Sequence, residues 1–201
     1  MSATEGTAAR GAAVDDVDLP RARRAVEELL RALGHDPESA SLRGTPDRVA
    51  TFALEAWAMR PLPTMEPSGL MPAVGTDPIV LDGIPFRSMC EHHLLPFSGT
   101  ATVVYRPDRW IAGLGRIVEA VDGVARRLQV QERLVEQVAD VIEAGVRPTA
   151  LLVRTRATHS CLWARGIGRE DTGLTTTATR GRWAGPEGPD EALRLLAGER
   201  P

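Results

Sequence analysis

Two short runs, Cys90-Glu91-His92-His93 and His159-Ser160-Cys161, hold both cysteines and three of the four histidines of this 201-residue chain. Chance would scatter these residues, so the fold has to bring the two runs together. Each follows a strand-like pattern: Ile79, Val80, Leu81, Ile84 and Phe86 precede the first, and Ala150 to Thr155 precede the second. The chain must therefore deliver the ends of two strands to one point. Two cysteines this far apart in a reducing compartment point to metal binding or chemistry rather than to a disulfide. A Cys-x-x-His pair can bite one ion, and Zn2+ favours thiolate and imidazole. Cys90, His93 and Cys161 then make a Cys2His set, and three protein ligands with a fourth position for water is the pattern of catalytic zinc. His92 and His159 are left over as proton carriers. A lone histidine is ordinarily a satisfied core or surface residue, and a lone cysteine an inert buried thiol; the clustering reverses that weighting.

Composition narrows the setting. Hydrophobic residues make up 43% and charged residues 25%, with a formal charge of -3 carried against basic residues that are all Arg. This describes an ordinary soluble protein and leaves no global basic stripe for nucleic acid. No apolar run approaches the roughly 20 residues that span a bilayer, and Met1 to Asp18 lacks the basic-then-apolar order of a signal peptide, so a cytoplasmic protein is expected. Residues 1–17 read as a disordered tail. Apolar positions at helical spacing predict helices from Leu19 to about Leu33, with Gly34 as stop, and from Thr45-Pro46, with Thr45 as cap, to Trp57. Residues 61–77, with four prolines, read as a loop, so 18–77 forms an N-terminal helical region. Strands at 79–86 and 100–105 come next. Helices follow on the stripes Ile117-Val121-Val124-Leu128 and Leu134-Val138-Val141-Ile142, and then strands at 150–155 and 175–179. The expected class is α+β, a strand-strand-helix-helix-strand-strand domain over 78–184, closed by a tail over 185–201 with a short helix from Glu191.

The run Ser88-Met89-Cys90-Glu91-His92-His93-Leu94-Leu95-Pro96-Phe97, with Leu128 to Leu134 and His159-Ser160-Cys161 through Ala164-Arg165-Gly166, resembles the zinc-dependent GTP cyclohydrolase I family, in order and at the family's separations. The likeness extends from about Leu19 to Arg182. It implies the tunnelling fold, an antiparallel sheet with helices on one face, assembled into a homodecamer with active sites at subunit borders. It also implies zinc on Cys90, His93 and Cys161, proton transfer by His92 and His159, and guanine recognition by Glu132 beside Gln131. Arg48, Arg116 and Arg165 match positions that meet the triphosphate, where guanidinium forks suit phosphate oxygens. The implied reaction opens the imidazole ring of GTP, expels formate and recloses a larger ring as 7,8-dihydroneopterin triphosphate, the entry to pterin and folate biosynthesis. The chemistry is coherent. Zinc makes water a nucleophile near neutral pH, a histidine can protonate N7, and a carboxylate can accept from the guanine N1-H and 2-amino group.

The chain departs from the family's pattern around the phosphates. After Gly113-Leu114 the family usually has Ser-Lys and then an Arg three residues after the Lys, whereas an ungapped reading here gives Gly115, Arg116 and Glu119. Thr100 replaces a common Lys and Leu174 a usual Thr. Glu119 is expected to turn outward or to be neutralised by an arginine such as Arg116. Two other readings stay open: a paralogue acting on another guanine nucleotide or stopping at the ring-opened product, and a non-catalytic regulatory subunit with a structural zinc. The second leaves His92 and His159 without a role.

Overall fold

The computed structural model describes residues 17–169, 172–185 and 188–196. The tail expected over 1–17 therefore lies, apart from Val17, outside the described residues, as does the end of the C-terminal tail. The chain divides into two compact units, one ending at Pro61 and one beginning at Leu62.

The first unit holds α1 (Leu19–Ala32) and α2 (Thr45–Trp57). Asp18 caps α1 by accepting from the Arg21 N–H at 2.8 Å, and Pro20 stands in the first turn, where its missing N–H costs nothing. The chain leaves the helix through Gly34 at φ 84°, a left-handed position that suits glycine. The cap of α2 is Gly44, not Thr45: Thr45 is already helical, and its hydroxyl accepts from Arg48 at 2.8 Å. Arg23 on α1 pairs with Asp47 on α2 at 3.4 Å.

The second unit is built on a five-stranded sheet of order β5-β2-β3-β6-β7. β2 (Ile79–Cys90), β3 (Pro96–Arg106), β6 (Ala150–His159) and β7 (Gly173–Gly181) pair antiparallel in turn. α3 (Leu114–Ala125) and α4 (Gln131–Val146) sit between β3 and β6 in the chain. This is the expected strand-strand-helix-helix-strand-strand order. Side chains alternate across a strand. Val103, Leu151 and Val153 therefore join the helix stripes Ile117, Val121 and Val124, and Leu134, Val138 and Ile142, in one core; all of these are fully buried. Gly99 allows β3 and β6 to approach, because a Cβ there would lie 1.9 Å from the Arg156 carbonyl oxygen.

Two differences from the expected elements have physical causes. Residues 61–77 are not all loop: a 3-10 turn (Pro67–Gly69) leads into β1 (Leu70–Pro72), which pairs with β4 (Trp110–Ala112). Three residues ending in proline carry no readable alternation. Leu128 is not the end of a helical stripe. α3 stops at Ala125, and β5 (Leu128–Gln129) runs parallel to the end of β2, with Met89 opposite Leu128 and Cys90 opposite Gln129.

The C-terminal helix α6 (Gly188–Leu196) starts before the expected Glu191. Its Ala192 buries with Trp183 against Val104, Ala150 and Leu152, whose side chains point to the sheet face opposite α3 and α4. Glu191 ties it down, accepting from the Trp183 indole N–H at 2.9 Å and from Arg106 at 2.8 Å. The indole bond first, and Arg106 with it, hold this carboxyl below its ordinary value. A depressed carboxyl stabilises the fold above its unfolded value and loses that contribution as pH falls through the folded one. Acid titration should therefore loosen α6 only as the pH falls below the ordinary glutamate range, seen as a change in Trp183 fluorescence. Glu191→Gln should remove that step and leave α6 less firmly held at neutral pH.

Candidate metal and proton-transfer site

The sheet register assembles the site. β3 is flanked by β2 and β6, and one row across the three strands reads Ser88–Phe97–His159. Both flanking strands run antiparallel to β3 and hence parallel to each other. Two residues beyond Ser88 comes Cys90, and two beyond His159 comes Cys161, in the first turn of α5 (Ser160–Trp163). The two runs that the sequence holds far apart thus end side by side.

Beyond Cys90 the chain turns tightly. Leu94 takes φ 51°, uncommon for a residue with a side chain, its N–H donates to the Cys90 carbonyl at 2.9 Å, and the Cys90 N–H donates to Leu95 O at 2.9 Å. This turn carries His93 back, so that one ligand atom each from Cys90, His93 and Cys161 lies within 4.8 Å of the others. The Cys90 sulfur is 3.6 Å from His93 Nδ1. Both thiols are buried and His93 is exposed. Burial, and then the Cys90 sulfur beside it, push the Cys161 thiol up, so two adjacent thiolates need a cation to offset them. The donor set, two sulfurs and one imidazole, is of the kind that binds zinc-like ions.

His159 stands beside this group, stacked on Phe97 with ring centroids 4.5 Å apart and planes 6° from parallel. Its Nε2 lies 2.8 Å from Gln131 Oε1. Gln131 is almost fully buried, and its amide nitrogen already faces Thr155 O, Thr155 Oγ1 and Leu174 O at 3.3, 3.1 and 3.1 Å. The Gln131 oxygen must then be the acceptor, so His159 carries its proton on Nε2 and presents a lone pair at Nδ1. Burial pushes this histidine down from its ordinary value, and the charge of Glu132 partly opposes it. Gln131, which the family resemblance groups with Glu132 for guanine recognition, has its side chain bonded to His159, Thr155 and Leu174, contacts that nothing in its sequence position signals.

Glu132 is exposed in the first turn of α4, where the helix terminus favours a carboxylate. Its neighbour Arg133 donates to Glu91, to Leu128 O at 3.1 Å and to Gln129 Oε1 at 2.9 Å. That ion pair joins the start of α4 to the turn after Cys90, and it holds the Glu91 carboxyl below its ordinary value. His92 is largely exposed, with Nε2 3.7 Å from Glu91. Arg165 reaches His93, with Nη1 2.8 Å from Nε2.

The structure brings Cys90, His93, Cys161 and Arg165 together, with His159 two residues before Cys161 at the end of β6. Arg48 belongs to the first unit, on α2. Arg116 lies on α3 across Gly69, where a Cβ would fall 2.7 Å from its Nε, and it pairs with Glu119 at 2.9 Å. That is the neutralised arrangement anticipated for Glu119. Gly115 has open space where a side chain would go.

Comparison with known proteins decides the family. The GTP cyclohydrolase I family profile matches residues 22–196. The chain belongs to the GTP cyclohydrolase I family. It is 40% identical over 189 residues to the GTP cyclohydrolase 1 of Leifsonia xyli subsp. xyli, covering 89% of this chain and 95% of that one. Against the enzymes of the same name from Rhodopirellula baltica and Hyperthermus butylicus it is 38% identical, covering 90% and 92% of this chain and 80% and 94% of theirs. Among solved structures, a QueF-like archaeosine synthase aligns with TM-score 0.45 at 17% identity, over 53% of this chain and 96% of that one. A putative dihydroneopterin aldolase of Vibrio cholerae aligns with TM-score 0.42 at 13% identity, over 54% of this chain and all of that one. As a GTP cyclohydrolase I family member, the chain keeps the Cys-His-Cys group as a possible metal site. Among its described residues no helix is long and apolar enough to cross a membrane.

Proposed function

We propose that this chain is a zinc-dependent GTP cyclohydrolase I, converting GTP and one net water into formate and 7,8-dihydroneopterin triphosphate. The observation that carries this reading is the convergence of Cys90, His93 and Cys161 beside a histidine whose proton is fixed by Gln131. Cys90, His93 and Cys161 would hold the zinc, whose chemistry there is Lewis acidity toward water at neutral pH. His159, with Nε2–H tied to Gln131, exchanges a proton with the purine N7 through Nδ1, and stacking on Phe97 holds the ring in plane for that exchange. His92, exposed beside Glu91, is the second proton carrier. Glu132 accepts from the guanine N1–H and 2-amino group, a pattern adenine lacks. Arg116 and Arg165, and Arg48 of the first unit, are the residues that the family resemblance assigns to the triphosphate, with Arg116 sharing its charge with Glu119.

The active protein is a cytoplasmic homodecamer whose product feeds pterin and folate biosynthesis. Supporting assembly, α1 has no buried residue, and Leu29, Leu33 and Phe52 of the first unit are all at least half exposed. The acidic Glu119, where the family usually has an Arg, is the observation behind one variant of this reading, a paralogue that takes a guanine nucleotide with less phosphate. One experiment separates the two. Zinc-replete protein is given GTP, GDP and GMP, and formate release is followed together with pterin fluorescence after oxidation. Formate and pterin from GTP in equal amounts are expected. Faster turnover of GMP would establish the variant, and no formate from any of them would leave a non-catalytic subunit.

A further inference from the structure

The first three residues of α4 reach in different directions. Gln131 donates to Thr155 on β6 and to Leu174 on β7, which anchors the start of the helix to the strand that ends at His159. Glu132 stays exposed in the first turn. Arg133 reaches the other way: its Nη2 donates to Glu91, just past the end of β2, and to Leu128 O at 3.1 Å, and its Nε donates to Gln129 Oε1 at 2.9 Å. Gln129 is a firm base for this contact. It is fully buried, donates from Nε2 to Val124 O at 3.1 Å and to Gln137 Oε1 at 2.8 Å, and accepts the Glu91 N–H on its carbonyl at 3.1 Å. The Arg133 guanidinium thus clamps Glu91 against β5 from the helix side.

Folding stability does not explain the clamp. An ion pair as open to water as this one, with side chains 41% and 30% exposed, adds little to the fold. Position is what it fixes. β5 meets β2 at Met89 and Cys90, and beyond Cys90 two bonds made by Glu91 tie the turn to this side: its N–H to Gln129 and its carboxylate to Arg133. We infer that Arg133 is a positioning residue, which sets the distance between Glu132, the carboxylate that reads the guanine, and the turn that carries His92 and His93. The inference rests on the roles proposed above for these groups and adds the element that holds them in register. Guanine binding needs Glu132, and metal binding needs the three ligands, so each should survive without the clamp. The reaction spans both, and a misplacement of about 1 Å can cost roughly 10^2-fold in rate.

The test compares the full zinc-replete chain with Arg133→Met, which keeps an unbranched apolar stem and removes every donor. Turnover of GTP should fall by about 10- to 100-fold in kcat with KM little changed, the pattern of an interaction realised in the transition state. Two measurements need no turnover: zinc affinity by chelator competition, and GTP binding to zinc-free protein by calorimetry. Both should stay at the native value, as should the thermal midpoint. Glu91→Ala should lose a similar factor in kcat, and the double variant no more than either alone, because both break one contact. Arg133→Lys, which keeps the charge without the fork, should recover part of the loss. Native kcat in Arg133→Met, additive losses in the double variant, or a loss of zinc or GTP affinity or of thermal midpoint in step with kcat would overturn the positioning role. GTP binding retained in Glu132→Ala, or zinc retained in Cys161→Ser, would instead overturn the roles on which it rests, so the two readings fail separately.

Discussion

Cys161→Ser should bind zinc more than about 100-fold more weakly than the native chain and lose turnover with it. Mutating even the outer partners of a metal ligand costs 10- to 100-fold in affinity, and a lost ligand costs more. The thiol is buried, with the Cys90 sulfur as neighbour, so serine leaves a hard, protonated hydroxyl where a soft anion is needed. The substitution is nearly isosteric, and because α5 is only one turn long and ends the sheet rather than supporting it, circular dichroism should be unchanged. Metal content by elemental analysis, with Cys90→Ser in parallel, is the measurement. Full zinc retention in both variants would remove the assignment of this group as a metal centre.

His159→Ala should keep its zinc and lose about 10^2- to 10^4-fold in turnover, the usual worth of a positioned acid or base. The loss should appear in kcat and not in KM, because a proton carrier acts in the transition state rather than in ground-state binding. The geometry adds a companion test. Gln131→Leu deletes the one acceptor that holds the His159 proton on Nε2, while His159, Phe97 and all three candidate ligands remain. It should reproduce part of the His159→Ala loss with metal content unchanged. Native kcat in Gln131→Leu would mean that the hydrogen bond supports the fold and not the proton, and native kcat in His159→Ala would mean that the proton reaches the purine by another route.

Much of this was readable in the sequence because it rests on local pattern. The helical stripes of α3 and α4 and the strand-like runs before Cys90 and Cys161 are periodic in side-chain character, and periodicity survives without tertiary contacts. The three candidate ligands were legible because Cys and His are scarce and crowd into two runs. What escaped was set by contacts between distant segments. The two residues of β5 make no pattern and exist only because β2 offers an edge. Gln131 looks like any polar residue opening a helix until Thr155, Leu174 and His159 close around its amide. The state of Glu119 narrowed to two options from the residues alone, and the choice between them fell to the side-chain geometry of Arg116 as it lies across Gly69.

The row Ser88–Phe97–His159 also ties function to the order of folding. β3 acts as a ruler between two strands that do not pair with each other, so the complete donor group needs both of them in place. A hairpin of β2 and β3 alone presents one thiol and one imidazole, and the second thiol arrives only when the long crossover through α3 and α4 has brought β6 home. Contacts that close so much chain form late. An ion held by all three residues binds the completed sheet and nothing earlier, so its uptake during refolding marks the moment at which the strands find their final neighbours.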